Sequence, residues 1–308
     1  MAASESKTVI LAALIGNTLI AITKFAAAAA TGSSAMLSEG IHSVVDTGNQ
    51  VLLLVGLHRA RMPADEQYPF GRGKEVYFWS FVVAILIFAV GAGISIYEGV
   101  IHILDPHPVE NHLINYIVLG AAMVFEGVAW VIAYRSFNRI RGDMGRLEAI
   151  RRGKDPSMFV VLFEDTAAMM GLAIAFVGVF LGQLTGNAVF DGLASILIGC
   201  VLAATAAWLA AETKSLLIGE RAHPRVIQGI RERVGSHPAV TRVDEVLTLH
   251  MGPDFILVNV SVNFDPGAAA RVIEEAVADI DRRIRKAYPE VKRVFIEAES
   301  GTARSATF

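Results

Sequence analysis

The chain has 308 residues, of which 54% are hydrophobic and 19% charged, with a formal net charge of −3 at pH 7. Its mean hydropathy of +0.50 points to a membrane protein, and its apolar runs are long enough to cross a hydrocarbon core about 30 Å thick. The single cysteine, Cys200, excludes an intramolecular disulfide framework and a multi-thiolate metal site, and reads as a small packing residue.

Six apolar runs lie near 8–30, 36–58, 76–101, 113–134, 159–181 and 189–217. The first follows Met1 to Lys7; it is too long for a signal-peptide core and is expected to stay. Small residues such as Ala26 to Ala30 and Gly91-Ala92-Gly93 let helix backbones approach closely, so their expected role is packing. Between the second and third runs, Pro63 and Tyr68-Pro69-Phe70-Gly71-Arg72-Gly73-Lys74-Glu75 predict a structured turn, and the glycine spacing there does not fit a nucleotide-binding loop.

Loop charges predict the orientation. The connections Thr31 to Ala35, His102 to His112 and Gly182 to Ala188 contain no Lys or Arg. The second loop carries Arg59, Arg61, Arg72 and Lys74, and the fourth carries Arg135, Arg139, Arg141, Arg146, Arg151, Arg152 and Lys154. Both termini are therefore expected in the cytoplasm, and these basic runs read as topology signals with no nucleic-acid partner implied. The expected location is the cell membrane, crossed several times.

From about residue 219 the sequence turns mixed and charged. We expect a membrane domain over 1–218 and a cytoplasmic α+β domain over 219–308. Pro224 to Val234 reads as a helix, Arg242 to Leu249 and Phe255 to Phe264 as strands around Met251-Gly252-Pro253-Asp254, and Lys292 to Ala298 as a last strand. Ala268 to Tyr288 predicts an amphipathic helix whose apolar stripe is Val272, Ile273, Ala276, Val277, Ile280 and Ile284.

The chemistry sits in the second and fifth runs. His42 and Asp46 are four residues apart, hence on one helix face, where they can grip one divalent metal. Glu39 shares that face and reads as a cation guide or proton relay at the mouth. Glu164 and Asp165 lie near the cytoplasmic end of the fifth run. Charged groups in a span cost about 2.5 to 3.5 kcal/mol each, so they persist where an ion or pathway uses them. Glu98, Glu126 and Glu212 are assigned structural roles, pairing with Lys24 or backbone groups or reaching an interface.

With these residues the chain resembles the cation diffusion facilitators, six-span metal exporters with a cytoplasmic ferredoxin-like domain. Glu39, His42 and Asp46 match the acidic, His-or-Asp and Asp pattern of the family's second span, and Asp165 matches the second ligand of its fifth span. Phe70-Gly71-Arg72-Gly73-Lys74 and Glu75 match its loop pattern. The fold implied is an α-helical membrane protein, a six-helix bundle with a C-terminal α+β ferredoxin-like domain. Val161 stands where a fifth-span ligand belongs, and the adjoining Glu164 is the expected replacement, as in the subgroup that includes mitochondrial zinc transporter-like members.

The resemblance also implies accessory positions. Asp65 remains of the loop metal site, with Tyr68 and Arg72 where histidines would stand; a guanidinium cannot bind metal. In the tail, Asp244, Asn259, Glu297 and Glu299 match the binuclear positions, with His250 out of register. Lys74 and Glu220 match a charged pair near the cytoplasmic surface.

A site of His42, Asp46, Asp165 and Glu164 offers zinc the imidazole and carboxylate donors it accepts, with ferrous iron and cobalt next and manganese further on. The expected function is proton-coupled efflux of divalent cations from the cytoplasm by alternating access in a homodimer, with metal and protons as partners and no resident cofactor. The alternative is a non-transporting metal-binding or regulatory membrane subunit. An enzyme is not expected, since no His-Glu-x-x-His motif or catalytic nucleophile arrangement appears.

Overall fold

The computed structural model describes residues 2–107, 111–141 and 156–299, with side chains described over 17–107, 111–135, 137–138 and 159–299. Much of the fourth loop, including Arg146, Arg151, Arg152 and Lys154, lies outside the described residues.

Six long helices follow the six apolar runs. They are α1 (Ala2–Thr31), α2 (Ser34–Ala60), α3 (Glu75–Leu104), α4 (His112–Arg141), α5 (Pro156–Thr185) and α6 (Val189–Ile218). Within α3 the backbone relaxes into a π-helical segment over Ile87–Ala92. Among the described residues, α3, α4, α5 and α6 contain stretches long and apolar enough to cross a membrane. In α2 the hydropathy is pulled down by a buried polar row: Ser38, Glu39, His42, Ser43, Asp46 and Asn49.

The bundle is inside-out relative to a water-soluble protein. On α4, Leu113, Ile117, Val124, Phe125 and Ile132 are exposed while Asn115 and Glu126 are buried. This distribution suits lipid contact, because lipid does not drive apolar side chains inward and the polar groups must find partners inside. Cys200 is also exposed on α6, so it is a surface residue of the bundle and not the small packing residue expected.

Close helix approach is carried by Gly99 of α3 and Gly192 of α6. A Cβ on Gly99 would lie 2.6 Å from the Gly192 carbonyl oxygen, and one on Gly192 would lie 2.8 Å from that of Gly99. The start of α2 is anchored to α6 by Asp191. Its Oδ2 accepts from the Ser34 and Ala35 backbone amides at 2.5 and 3.2 Å, and its Oδ1 accepts from Ser33 Oγ at 2.6 Å. A carboxylate on the free amides of a helix N-terminus satisfies donors that have no partner within the helix. One turn further along, Ser38 of α2 hydrogen-bonds Ser195 of α6, which donates to the Ser95 carbonyl of α3 at 2.8 Å.

A second unit comprises residues 59–75 together with 215 onward, so the loop after α2 groups with the tail. Its elements are α7 (Pro224–Gly235), β1 (Val240–Gly252), β2 (Phe255–Phe264), α8 (Ala270–Ala287) and β3 (Val291–Ala298). The sheet order is β1-β2-β3, with β2 antiparallel to β1 and parallel to β3. This is the helix-strand-strand-helix-strand order read from the sequence. Ile256, Val258, Val260 and Val262 of β2 pack with Ile230 and Val234 of α7 and Ala276, Ile280 and Ile284 of α8. Val272 departs from the expected stripe: it is 46% exposed in the first turn of α8, while Ile273 and Val277 pack on the core.

Candidate metal centre

The site lies in the helical unit, between the polar face of α2 and the start of α5. Glu39, His42, Asp46 and Asn49 recur at three- and four-residue steps, which stacks them on one side of α2. His42 is 1% exposed, and its Nδ1 lies 3.3 Å from Asp46 Oδ1. Neither imidazole nitrogen makes a hydrogen bond among the described residues, and Asp46 Oδ1 makes none either. Buried polar atoms normally have partners, so an unbonded imidazole beside an unbonded carboxylate oxygen is a pair suited to an ion, with one ring nitrogen and that oxygen as its donors.

From α5, the buried Glu164 reaches α2. Its Oε1 accepts from Asn49 Nδ2 at 2.5 Å, and its carboxyl stands within hydrogen-bonding reach of Asp46. Two adjoining carboxyls inside a span are neutralised by a shared cation or by protons, which is chemistry that a proton-exchanging metal site needs. Asp165 is only partly buried, and Val161 one turn before it offers no donor. Among the described residues, no three His, Cys, Asp or Glu side chains are gathered closely enough to hold a metal. His42 pairs with Asp46 along α2 and Glu164 meets that helix at Asn49, with Asp165 the next residue of α5.

Glu39 has a specific partner. Lys24 of α1 is fully buried and donates to Glu39 Oε2 at 2.9 Å and to Ser43 Oγ at 2.8 Å. Lys24 therefore goes to Glu39, where the sequence reading offered it to Glu98, Glu126 or Glu212. The other Glu39 oxygen is buried against Gly171 of α5, where any Cβ would collide with it.

The accessory positions have local partners. Asp65 accepts from Arg72 Nη2 at 2.8 Å and from the Tyr68 amide at 2.7 Å, and the Arg72 guanidinium lies 4.2 Å from the Tyr68 ring centroid. The Arg72 hydrogen bond holds the Asp65 carboxyl below the usual carboxylate range. The three residues matched to a loop metal site form an ion-pair and cation–π cluster. In the tail, Asp244 accepts from Arg242 Nε at 2.5 Å and from the Asn263 amide, while Glu297 accepts from Ser261 Oγ at 3.4 Å and the Glu299 amide donates to the Val262 carbonyl. His250 is 5% exposed within β1. Lys74 Nζ donates to the Leu217 carbonyl at 3.4 Å, and Glu220 accepts from Ser215 Oγ at 2.5 Å.

Asn49 is the site residue that the sequence reading passed over. Its signal was present in the spacing, three residues after Asp46 and seven after His42.

Comparison with known proteins bears on this geometry. The cation efflux transmembrane domain matches residues 10–218. The chain is 35% identical over 276 residues to the mitochondrial proton-coupled zinc antiporter SLC30A9 of Xenopus laevis, covering 89% of this chain and 49% of that protein. It is 32% identical over 280 residues to the Homo sapiens antiporter of that name, covering 90% and 49% respectively. The chain thus spans about half the length of these antiporters. The manganese efflux system protein MneP of Bacillus subtilis is 23% identical over 301 residues, 94% of this chain and 95% of that protein. The domain match over all six helices, including the buried row of α2, shows that the chain belongs to the cation efflux family, the cation diffusion facilitators.

Proposed function

We propose that this chain exports divalent metal cations from the cytoplasm in exchange for protons, with zinc as its first substrate and ferrous iron and cobalt next. The observation that carries the reading is the buried His42 imidazole, unbonded at both nitrogens, beside Asp46 and one side-chain reach from Glu164. His42, Asp46, Glu164 and Asp165 are the proposed cargo ligands. Imidazole with carboxylate oxygens favours a borderline ion such as zinc. The similarity to proteins named proton-coupled zinc antiporters supports the same choice.

The coupling follows from the ligands. An ion is bound by neutral imidazole and ionised carboxylates, so binding displaces protons and release readmits them. Moving a divalent ion outward against 100 mV, inside negative, costs about 4.6 kcal/mol, and proton entry offsets part of this. In alternating access, the α2 and α5 side chains face the cytoplasm to load and the other side to unload. We place both termini in the cytoplasm and assign a homodimer, with Lys74 and Glu220 as a structural ion pair, between helices or between subunits, near the cytoplasmic surface. Asp244, Glu297 and Glu299 are weaker, oxygen-only accessory positions, while Asp65 is committed to Arg72.

Flux of zinc, ferrous iron, cobalt and manganese into inside-out proteoliposomes tests the reading. Zinc flux is expected in the wild type and lost in His42→Ala, Asp46→Ala and Asp165→Ala. A wild type that binds zinc but moves none of the four ions would make the chain a metal-binding subunit instead.

A further inference from the structure

Asn49 is completely buried on α2, one turn beyond Asp46 on the same face as His42. Its Nδ2 holds Glu164 Oε1 at 2.5 Å, while its Oδ1 has no hydrogen-bond partner among the described residues. A glutamate has three rotatable side-chain bonds, and this contact fixes the Glu164 carboxyl against α2. Val161, by contrast, has no donor to offer. An unbonded amide oxygen in a span is normally disfavoured, yet it is a hard, neutral donor of the kind that suits a cation.

We propose that Asn49 is a specificity-determining residue of the metal centre: its amide nitrogen fixes Glu164 in place of the donor absent at Val161, and its side-chain oxygen is turned to the ion. The inference rests on the reading of His42, Asp46 and Glu164 as cargo ligands. Through Asn49, the fifth helix contributes a carboxylate from a position three residues after Val161. The site gains oxygen character at a point where α2 offers the His42 imidazole and the Asp46 carboxylate, Glu39 being held by Lys24. Ions that depend on oxygen donors, manganese above all, should depend on Asn49 more than zinc does.

The test is metal binding by the purified full chain in detergent, using zinc and manganese ions as probes. Asn49→Ala should weaken zinc binding about tenfold, the lower end of what removing a ligand-orienting partner costs. Manganese binding should fall further, raising the zinc-to-manganese affinity ratio. Glu164→Gln should have a similar effect, and the Asn49→Ala, Glu164→Gln double variant should be no worse than the weaker single variant, because both remove one unit. Asn49→Leu, which keeps the branched side-chain shape without its polar atoms, repeats the measurement if Asn49→Ala is not recovered folded. Unchanged zinc affinity, an unchanged ratio between the two ions, or full additivity in the double variant would each overturn the assignment. His42→Ala separates the two claims. If it abolishes zinc binding while Asn49→Ala does not matter, this inference alone falls; if it leaves binding intact, the ligand reading beneath it falls.

Discussion

His42 Nδ1 stands 3.3 Å from Asp46 Oδ1 on one face of α2, with both groups buried in the helical unit. A mixed nitrogen and oxygen pair favours zinc over manganese, so replacing the imidazole by carboxylate should move the preference toward the harder ion. His42→Asp should retain flux but lower the zinc-to-manganese rate ratio, as one borderline nitrogen donor becomes a hard oxygen. Competition between the two ions in proteoliposomes measures this directly, and an unchanged ratio would remove His42 from the ligand set.

Lys24 and Glu39 form a fully buried ion pair, the setting in which removing one partner is far worse than removing both. Lys24→Met should destabilise the protein by about 3 kcal/mol, the cost of a buried charge without its partner. Adding Glu39→Gln should recover most of that loss. Gly171→Val presses on the same carboxylate and should also lower the thermal midpoint. Thermal unfolding in detergent of the three variants checks the ordering; a double variant as unstable as Lys24→Met would mean that the pair is not what couples these helices.

Asp65 carries a depressed pKa because Arg72 stabilises its ionised form. The sign follows from linkage: the contribution is present above the ordinary carboxylate pKa of about 4 and is lost as pH falls through the lower value of the folded loop. Asp65→Asn should therefore be insensitive to acid over that interval, where the wild-type loop loosens. Zinc should not protect the wild-type loop at neutral pH, since the carboxylate is already held by a guanidinium. Amide hydrogen exchange over residues 62–75 reads both outcomes.

The loop after α2 rests against the β1–β2 turn of the tail. A Cβ on Gly73 would lie 2.5 Å from the Met251 carbonyl oxygen and 3.1 Å from the Gly252 Cα. Backbone on both sides leaves little room to adjust, so Gly73→Val should detach this contact. Faster proteolysis of the loop with unchanged zinc affinity at the His42 site is the expected result.

Local periodicity made most of the architecture legible. Six apolar runs became six helices, and His42 and Asp46 lie on one face because four residues make about one turn. The tail's strands and helices follow their alternation closely, apart from Val272, which is exposed in the first turn of α8. Long-range pairing was the part that periodicity does not encode. Asn49 meets Glu164 across 115 residues of sequence, and Lys24 selects Glu39 among several acids because helix packing, not spacing, sets their distance. The same holds for the grouping of residues 59–75 with the tail, and for Cys200, whose direction depends on which side of α6 meets the bundle.

Coupled zinc and proton movement is the most direct measure of the central claim. Proteoliposomes holding the full chain, clamped at zero membrane potential and given an inward or outward pH gradient, should show zinc flux whose direction follows the gradient, with protons moving oppositely and both signals absent in Asp46→Ala. Zinc flux indifferent to the gradient, or equal in Asp46→Ala, would contradict proton-coupled export through this site.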